Sequence, residues 1–328
     1  MADLSVSIAL SANPRTTPLL RNEVKPDGIE LRCSTVHPSE LFWRQLKFAE
    51  FDISEMSLST YLIARANGDD RWIALPVFPT RYFFHTWIFA RRDRGIEHPR
   101  DLVGKRVGVP EYQQTAALWI RGVLEDEFGV RPRDMHFWME RSPEKSHGGA
   151  TNFRAPEGVT IDQIPADSDI GQMMASGALD ATLLYVRDRN LVDRSRIDLD
   201  QHPMVKYLFP DPVAEGVRYY RKTGVFPVNH TIVVRRALLE KNPWIAINMF
   251  KAFQEASERA EQTRLEYAKY HVDAGLVDQS ALRVSLCDYG VAANKGVLEK
   301  LLSYSLGQGL TPRRLTLEEM FAESTLGL

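Results

Sequence analysis

The chain has 328 residues, a formal net charge of -2 and a pI near 6.5, which excludes the strongly basic surface of a nucleic-acid-coating protein. With 44% hydrophobic and 26% charged residues, it has an ordinary globular composition and enough length for two domains and a sizeable core. Two cysteines, Cys33 and Cys287, exclude a Cys-based zinc motif and a disulfide framework, leaving one long-range disulfide open. No apolar run approaches the ~20 residues of a membrane span. The start, Met1-Ala-Asp-Leu-Ser-Val-Ser, has neither the basic nor the long apolar part of a signal peptide, so a cytoplasmic protein is expected.

Leu4 to Leu10 reads as a buried strand, followed by the turn-rich loop Ser11-Ala-Asn-Pro-Arg15. Ile29 to Cys33 is a second strand, and a helix begins at His37-Pro38-Ser39 with Leu41, Phe42 and Leu46 as its buried stripe. Phe51 to Ile53 is a third strand. It hands over through Ser-Glu-Met-Ser-Leu-Ser59 to a helical pattern at Tyr61, Leu62 and Arg65. Such a corner leaves N–H groups and hydroxyls free for an anionic group, or is simply a capped helix start. Trp72 to Val77 and Phe83 to Ala90 are predicted strands joined by Phe78-Pro-Thr-Arg-Tyr82. This β-α-β-α order indicates a parallel or mixed sheet covered by helices.

The charged run Arg91-Arg-Asp-Arg-Gly95 is read as a domain crossover. Lys105 to Val109 then starts a new lobe, and Pro110-Glu-Tyr-Gln-Gln-Thr115 leads into a helix to Phe128. Met135 to Met139 and Ala181 to Tyr185 are further strands, and Ile170 to Ser176 is a short helix. Arg141 to Gly158 reads as an exposed excursion. After a helix from Asp211 to Arg221, the strand Val228 to Val234 is read as the return to the first lobe. Asn242-Pro243 should start a long helix to about Tyr270, with two more helices after it. The expected lobes are residues 1–92 with 226–328, and residues 93–225.

Several segments carry a resemblance. Phe51-Asp-Ile-Ser-Glu-Met-Ser-Leu-Ser, Pro76-Val-Phe-Pro-Thr-Arg, His85-Thr-Trp-Ile-Phe, Gly104-Lys-Arg-Val-Gly-Val-Pro-Glu-Tyr-Gln-Gln-Thr-Ala and Phe226-Pro-Val-Asn-His-Thr-Ile-Val-Val-Arg resemble the 4,5-dihydroxyphthalate decarboxylase family. That family is a branch of the type 2 periplasmic-binding-protein-like fold. The resemblance implies two α/β lobes, mixed sheets covered by helices, a ligand cleft between the lobes, and non-oxidative loss of carbon dioxide from an aromatic acid. Asn13-Pro14-Arg15 and the inserted-looking Lys145-Ser-His-Gly-Gly-Ala150 depart from the family pattern.

Such a reaction protonates the ring carbon bearing the leaving carboxylate, while a deprotonated phenol para or ortho to it stabilises the ring. It needs a general acid and a general base, and histidine suits both near neutral pH. His85 and His230 are expected in these roles. Glu55 is a base, an orienting partner of a histidine, or merely the first acid of a helix. The same three residues are a conceivable divalent-metal set, but no local spacing supports it. No metal and no cofactor are expected.

Arg81 matches a carboxylate bidentately and is the leading substrate ligand, against the usual surface fate of a loop arginine; Arg15 is second. Thr115 opens a helix and so sits at an anion site or a plain cap. Ser57 is expected to position a ligand oxygen, and Glu111 shares the ambiguity of Glu55. Tyr112, Phe78 and Trp87 are candidates to stack on the ring, with Tyr112 and Phe78 preferred since aromatics at strand ends are more often core, and Tyr185 is a candidate to hydrogen-bond the ligand. The expected partner is a small aromatic carboxylate, with self-association into a homo-oligomer. The rival reading is a solute-binding protein for a small aromatic or organic acid. It would need an export leader or anchor.

Overall fold

The computed structural model describes residues 3–151, 153–282 and 288–328. Cys287, and with it the open disulfide question, lies outside the described residues. Among the described residues, eleven strands run in chain order: β1 Leu4–Leu10, β2 Ile29–Thr35, β3 Ile53–Ser57, β4 Trp72–Leu75, β5 Phe89–Arg91, β6 Arg106–Val109, β7 His136–Met139, β8 Thr160–Gln163, β9 Ala181–Thr182, β10 Val205–Tyr207 and β11 His230–Arg235. They form two sheets, in the orders β2-β1-β3-β11-β4 and β10-β5-β9-β6-β7-β8. Both are mixed. In the first, β11 runs antiparallel between β3 and β4, while β1, β2 and β3 are parallel.

The return strand β11 closes the first sheet, so the chain leaves that lobe and comes back to it. It leaves earlier than the charge run suggests. Phe83 to Ala90 is not one strand of the first lobe. Phe84–Trp87 is a single 3₁₀ turn, and β5 pairs with β9 and β10 in the second sheet. Arg91 is an anchor, not a linker. Its guanidinium is buried, donating to the carbonyls of Met174 and Ala175 at 2.6 and 2.9 Å and to Asp93. The outward crossover is therefore the segment between β4 and β5.

One face of the first sheet is sealed by the helix Ile245–Asp273. Ile8, Leu10, Ile53, Leu75, Ile232 and Val234 pack there with Ile245, Met249 and Phe253. Each fully buried side chain of this kind stabilises the lobe by about 1.5–3 kcal/mol. This helix starts two residues later than Asn242-Pro243 suggested, because Arg236–Lys241 forms a separate short helix first. The other face of the sheet joins a core that runs on into the second lobe through Leu118, Trp119 and Val228. Trp119 Nε1 donates to the Val228 carbonyl at 2.8 Å.

The Arg141–Gly158 stretch corrects the expectation of an exposed excursion. Arg141, Ser146, His147 and Thr151 are buried. Gly-Gly after His147 lets a short helix, His147–Thr151, sit against both the first-lobe helices Pro38–Phe48 and Leu58–Ala66. Among the described residues, no helix is long and apolar enough to cross a membrane.

Candidate active site

The strand register assembles the site before any side chain is considered. β11 pairs antiparallel with β3 so that His230 lies opposite Ser57 and Ile232 opposite Glu55. Glu55 and His230 are thus diagonal neighbours on one sheet face, within reach of long side chains. His230 Nδ1 lies 2.6 Å from Glu55 Oε1. The other Glu55 oxygen accepts from the Ser11 backbone N–H at 2.8 Å and its hydroxyl at 2.6 Å. Glu55 is completely buried. Burial pushes its carboxyl up, but His230 and the two Ser11 donors outweigh that and hold it below the usual carboxylate range. With Glu55 ionised, Nδ1 carries the proton that joins them. His230 Nε2 faces the Asn229 amide nitrogen at 2.8 Å, so the neutral ring accepts there.

His230 and Asn229 line a cavity of about 690 Å³ between the lobes. Ser11, Ser57 and Thr80 contribute from the first lobe, and Gln114, Thr115, Arg141 and Tyr185 from the second. These residues follow or end strands β1, β3, β6, β7 and β9, the end of an open α/β sheet where ligands bind. The helix Thr115–Phe128 points its N-terminus at this cavity, placing free N–H groups and the positive end of its dipole there.

Ser57 and Thr115 join the lobes. Their hydroxyl oxygens are 2.9 Å apart. Thr115 Oγ1 also accepts from the Ser59 N–H at 2.9 Å, so a second-lobe side chain caps the first-lobe helix Leu58–Ala66. Thr60 donates to Ser57 Oγ at 3.1 Å. Because Ser57 and Thr115 share one hydrogen bond, one of their two hydroxyl hydrogens is left to donate into the cavity that both line.

Beside this pair lies a second charged cluster. Arg141 donates to Glu111 at 2.9 Å, to Asp193 at 2.7 Å and to Ser39 Oγ at 2.7 Å. Burial disfavours its charge, but Asp193 and Glu111 outweigh this and keep the guanidinium firmly protonated. Glu111 also accepts from Ser146 Oγ at 2.6 Å and the Gly148 N–H at 3.0 Å. His147 is 3.4 Å from Glu111, and its other ring nitrogen is 3.4 Å from Arg141. Burial pushes this imidazole below its ordinary pKa, which Glu111 only partly offsets. Phe42 packs edge-on against both His147 and His230, at 5.8 and 4.7 Å between ring centroids.

Of the residues singled out in the sequence, His230, Ser57, Thr115, Tyr185 and Trp87 line the cavity, and Glu55 lies buried behind His230. Tyr185 spends its hydroxyl on the Ile197 carbonyl at 2.6 Å. Glu111 lies one layer behind, under Arg141 and His147. The others lie elsewhere. His85 Nε2 contacts Glu215 at 3.2 Å in an aromatic nest of Phe83, Phe209 and Tyr219. The His85–His230–Glu55 metal set is therefore not assembled, and among the described residues no cluster of His, Cys, Asp or Glu is arranged to hold a metal ion.

Arg81 is buried against the C-terminal helices, donating to the Asp288 carbonyl at 2.9 Å and to Asn294 Oδ1. Arg15 donates to the Pro79 carbonyl at 3.0 Å and lines a separate hollow against the long helix. Tyr112 and Phe78 are fully buried core residues, the former under the Arg121 guanidinium at 3.7 Å. Arg141, His147 and Asn229 also line the cavity; the sequence singles out neither Arg141 nor Asn229, and His147 falls there only in an exposed excursion that could form a lid. Only the Asn229-His230 dipeptide and the Ser-His-Gly-Gly run offered a signal for them.

No family model matches the chain. A 4,5-dihydroxyphthalate decarboxylase of Comamonas testosteroni is 36% identical over 333 aligned positions, 99% of this chain and 98% of its relative. The chain belongs to the 4,5-dihydroxyphthalate decarboxylase family. A second decarboxylase of the same name, from Pseudomonas putida, is 38% identical over 67% of the chain and 83% of its own length. Among solved structures, the alkanesulfonate-binding protein SsuA of Xanthomonas axonopodis pv. citri, bound to MOPS, aligns at TM-score 0.55 over 96% of each chain, with 14% identity. The Escherichia coli aliphatic sulphonate binding protein SsuA aligns at 0.53, with 14% identity, over 98% of this chain and 92% of its own. This decarboxylase-family chain therefore has the two-lobed fold of periplasmic binding proteins.

Proposed function

We propose that the protein is a cytoplasmic carboxy-lyase that converts 4,5-dihydroxyphthalate to protocatechuate and carbon dioxide in the interlobe cavity, with His230 as proton donor. Family membership supports the reaction. The observation that carries the site is the 2.6 Å Glu55–His230 contact at the cavity wall. A buried carboxylate behind an imidazole fixes the ring and leaves Nε2 on the Asn229 side, at the cavity that both residues line.

The substrate is a flat dianion. Its carboxylates suit the N-terminus of the Thr115–Phe128 helix and the spare hydroxyl hydrogen of Ser57 and Thr115. Arg141 serves less well, since Glu111 and Asp193 already consume its charge. The hydroxyl para to the leaving group loses its proton to solvent. Imidazolium Nε2–H of His230 then protonates the ring carbon that bears the carboxylate. The carbon–carboxylate bond breaks, its electron pair restores the aromatic ring, and carbon dioxide departs. The phenolate left behind takes a proton from solvent to give protocatechuate, and His230 regains its proton from solvent. His85, held by Glu215, has no part in this step.

Incubation with 4,5-dihydroxyphthalate should yield protocatechuate and carbon dioxide in equal amounts, undiminished by a chelator. Binding without product would support the solute-binding reading instead. Loss of turnover in chelator would bring a metal into the mechanism.

A further inference from the structure

Tyr82 and Trp87 line the cavity yet remain 47% and 38% exposed. Singly exposed aromatics are common, as at Phe48 and Tyr267, but two in contact on a cavity wall make an apolar patch of the kind that marks a binding surface. They do not belong to the packed cores. Instead they stand on Phe84, which is buried, with ring centroids 5.7 and 5.4 Å from it. Their own centroids are 5.0 Å apart at 45°. The 3₁₀ turn Phe84–Trp87 brings Trp87 back beside Tyr82, and the turn sits on the outward crossover, between the lobes. The other walls carry hydroxyls, amides, histidines, the charged Arg141, Arg187 and Asp188, and apolar surface from Phe42, Leu184 and Val186; among the aromatic rings of the lining, Tyr82 and Trp87 are the exposed ones.

We infer that Tyr82 and Trp87 form the platform on which the substrate's benzene ring stacks, and that they select planar aromatic diacids over saturated ones of the same charge. The inference rests on the decarboxylase reading for the identity of the ring. The mechanism agrees with it. The carboxylates are held by dipoles and hydroxyls, which fix the charged edge of the ligand but not the tilt of its ring. A platform fixes the ring plane, which sets the face on which His230 delivers its proton. Offset or tilted contacts between aromatic rings are the favoured geometry. Tyr112 and Phe78, the aromatics preferred in the sequence, are fully enclosed and leave this role open.

The test needs no turnover. Phthalate and cis-cyclohexane-1,2-dicarboxylate carry the same two carboxylates on a flat and a saturated ring, and neither has the hydroxyl the reaction requires. Isothermal titration of the wild type should find phthalate tighter by on the order of tenfold. Trp87→Ala and Tyr82→Ala should each move that ratio toward one, while Trp87→Phe keeps most of it. With 4,5-dihydroxyphthalate, Trp87→Ala should raise KM and also lower kcat, because the platform both binds the ring and sets its plane for the proton. Both side chains are partly exposed, and a melting curve matching the wild type verifies folding; Trp87→Leu, apolar but without a ring, serves if the alanine variant melts early. Equal affinities in the wild type, or an unchanged ratio in both alanine variants, would overturn the platform. A wild type that shows the ratio but makes no product would overturn the decarboxylase reading alone. Turnover without the ratio would overturn the platform alone, and absence of binding by either diacid and of turnover would overturn both.

Discussion

His85 and His230 are both buried beside a glutamate, and the sequence gives no reason to separate them. Their surroundings do. His230 shares a cavity wall with Asn229 and Ser57, whereas His85 is enclosed by aromatic rings and Glu215. Replacing His230 with Gln, which keeps a donor for Glu55, should lower kcat by about 10²–10⁴-fold. His85→Ala should leave kcat within a few fold and lower the melting temperature, because Glu215 loses a partner. Steady-state kinetics and thermal melts of the two variants check this; equal losses of kcat would contradict it. Arg81 shows why single residues are hard to read. The carbonyls and amide it serves lie 145 to 213 positions away, so nothing near it in sequence distinguishes a tether from a ligand clamp. Glu55 was more legible. Its alternatives were few, and its 2.6 Å contact with His230 is the arrangement expected of an orienting partner.

Two elements hold the lobes in place around the cavity. The first is the segment from Arg141 to Thr151, which reaches across to Ser39, Trp43, Lys47, Thr60 and Asn67. Polar, Gly-rich composition made it read as exposed, yet its charges are satisfied internally and it packs inward. Arg141→Ala would leave Glu111 and Asp193 buried without their cation, a loss of about 3–5 kcal/mol, measurable by urea denaturation; a loss below 1 kcal/mol would show that the carboxylates find other partners. The second is the helix Pro212–Thr223, tied to the crossover through Glu215 and His85. Burial pushes the Glu215 carboxyl up, but Arg218 and His85 outweigh it and pull it from 4.5 to about 2. A folded pKa below the unfolded one means that this pairing stabilises the protein fully above the ordinary carboxylate value and loses its effect as pH falls toward about 2. The stability gap between wild type and Glu215→Gln should therefore narrow between about pH 5 and about pH 3. A gap that stays flat over that range would contradict the assignment.

At the scale of the whole molecule, much was legible. Alternating strands and helices indicated covered mixed sheets, and the apolar return strand indicated a chain that leaves its first lobe and re-enters it. The outward crossover was misplaced because charge is a poor marker of exposure when the charges have buried partners, as Arg91 does. What the sequence could not supply was the pairing of β3 with β11, 175 residues apart at the Glu55–His230 contact. That pairing makes the site. Its most direct test is turnover of 4,5-dihydroxyphthalate in D₂O by the wild type and by His230→Gln. The expected result is one carbon dioxide and one protocatechuate per substrate, with a single deuterium on the carbon that lost its carboxylate, and turnover slowed about 10²–10⁴-fold in a variant that still binds. Substrate bound but unchanged by the wild type, or unimpaired turnover by His230→Gln, would contradict it.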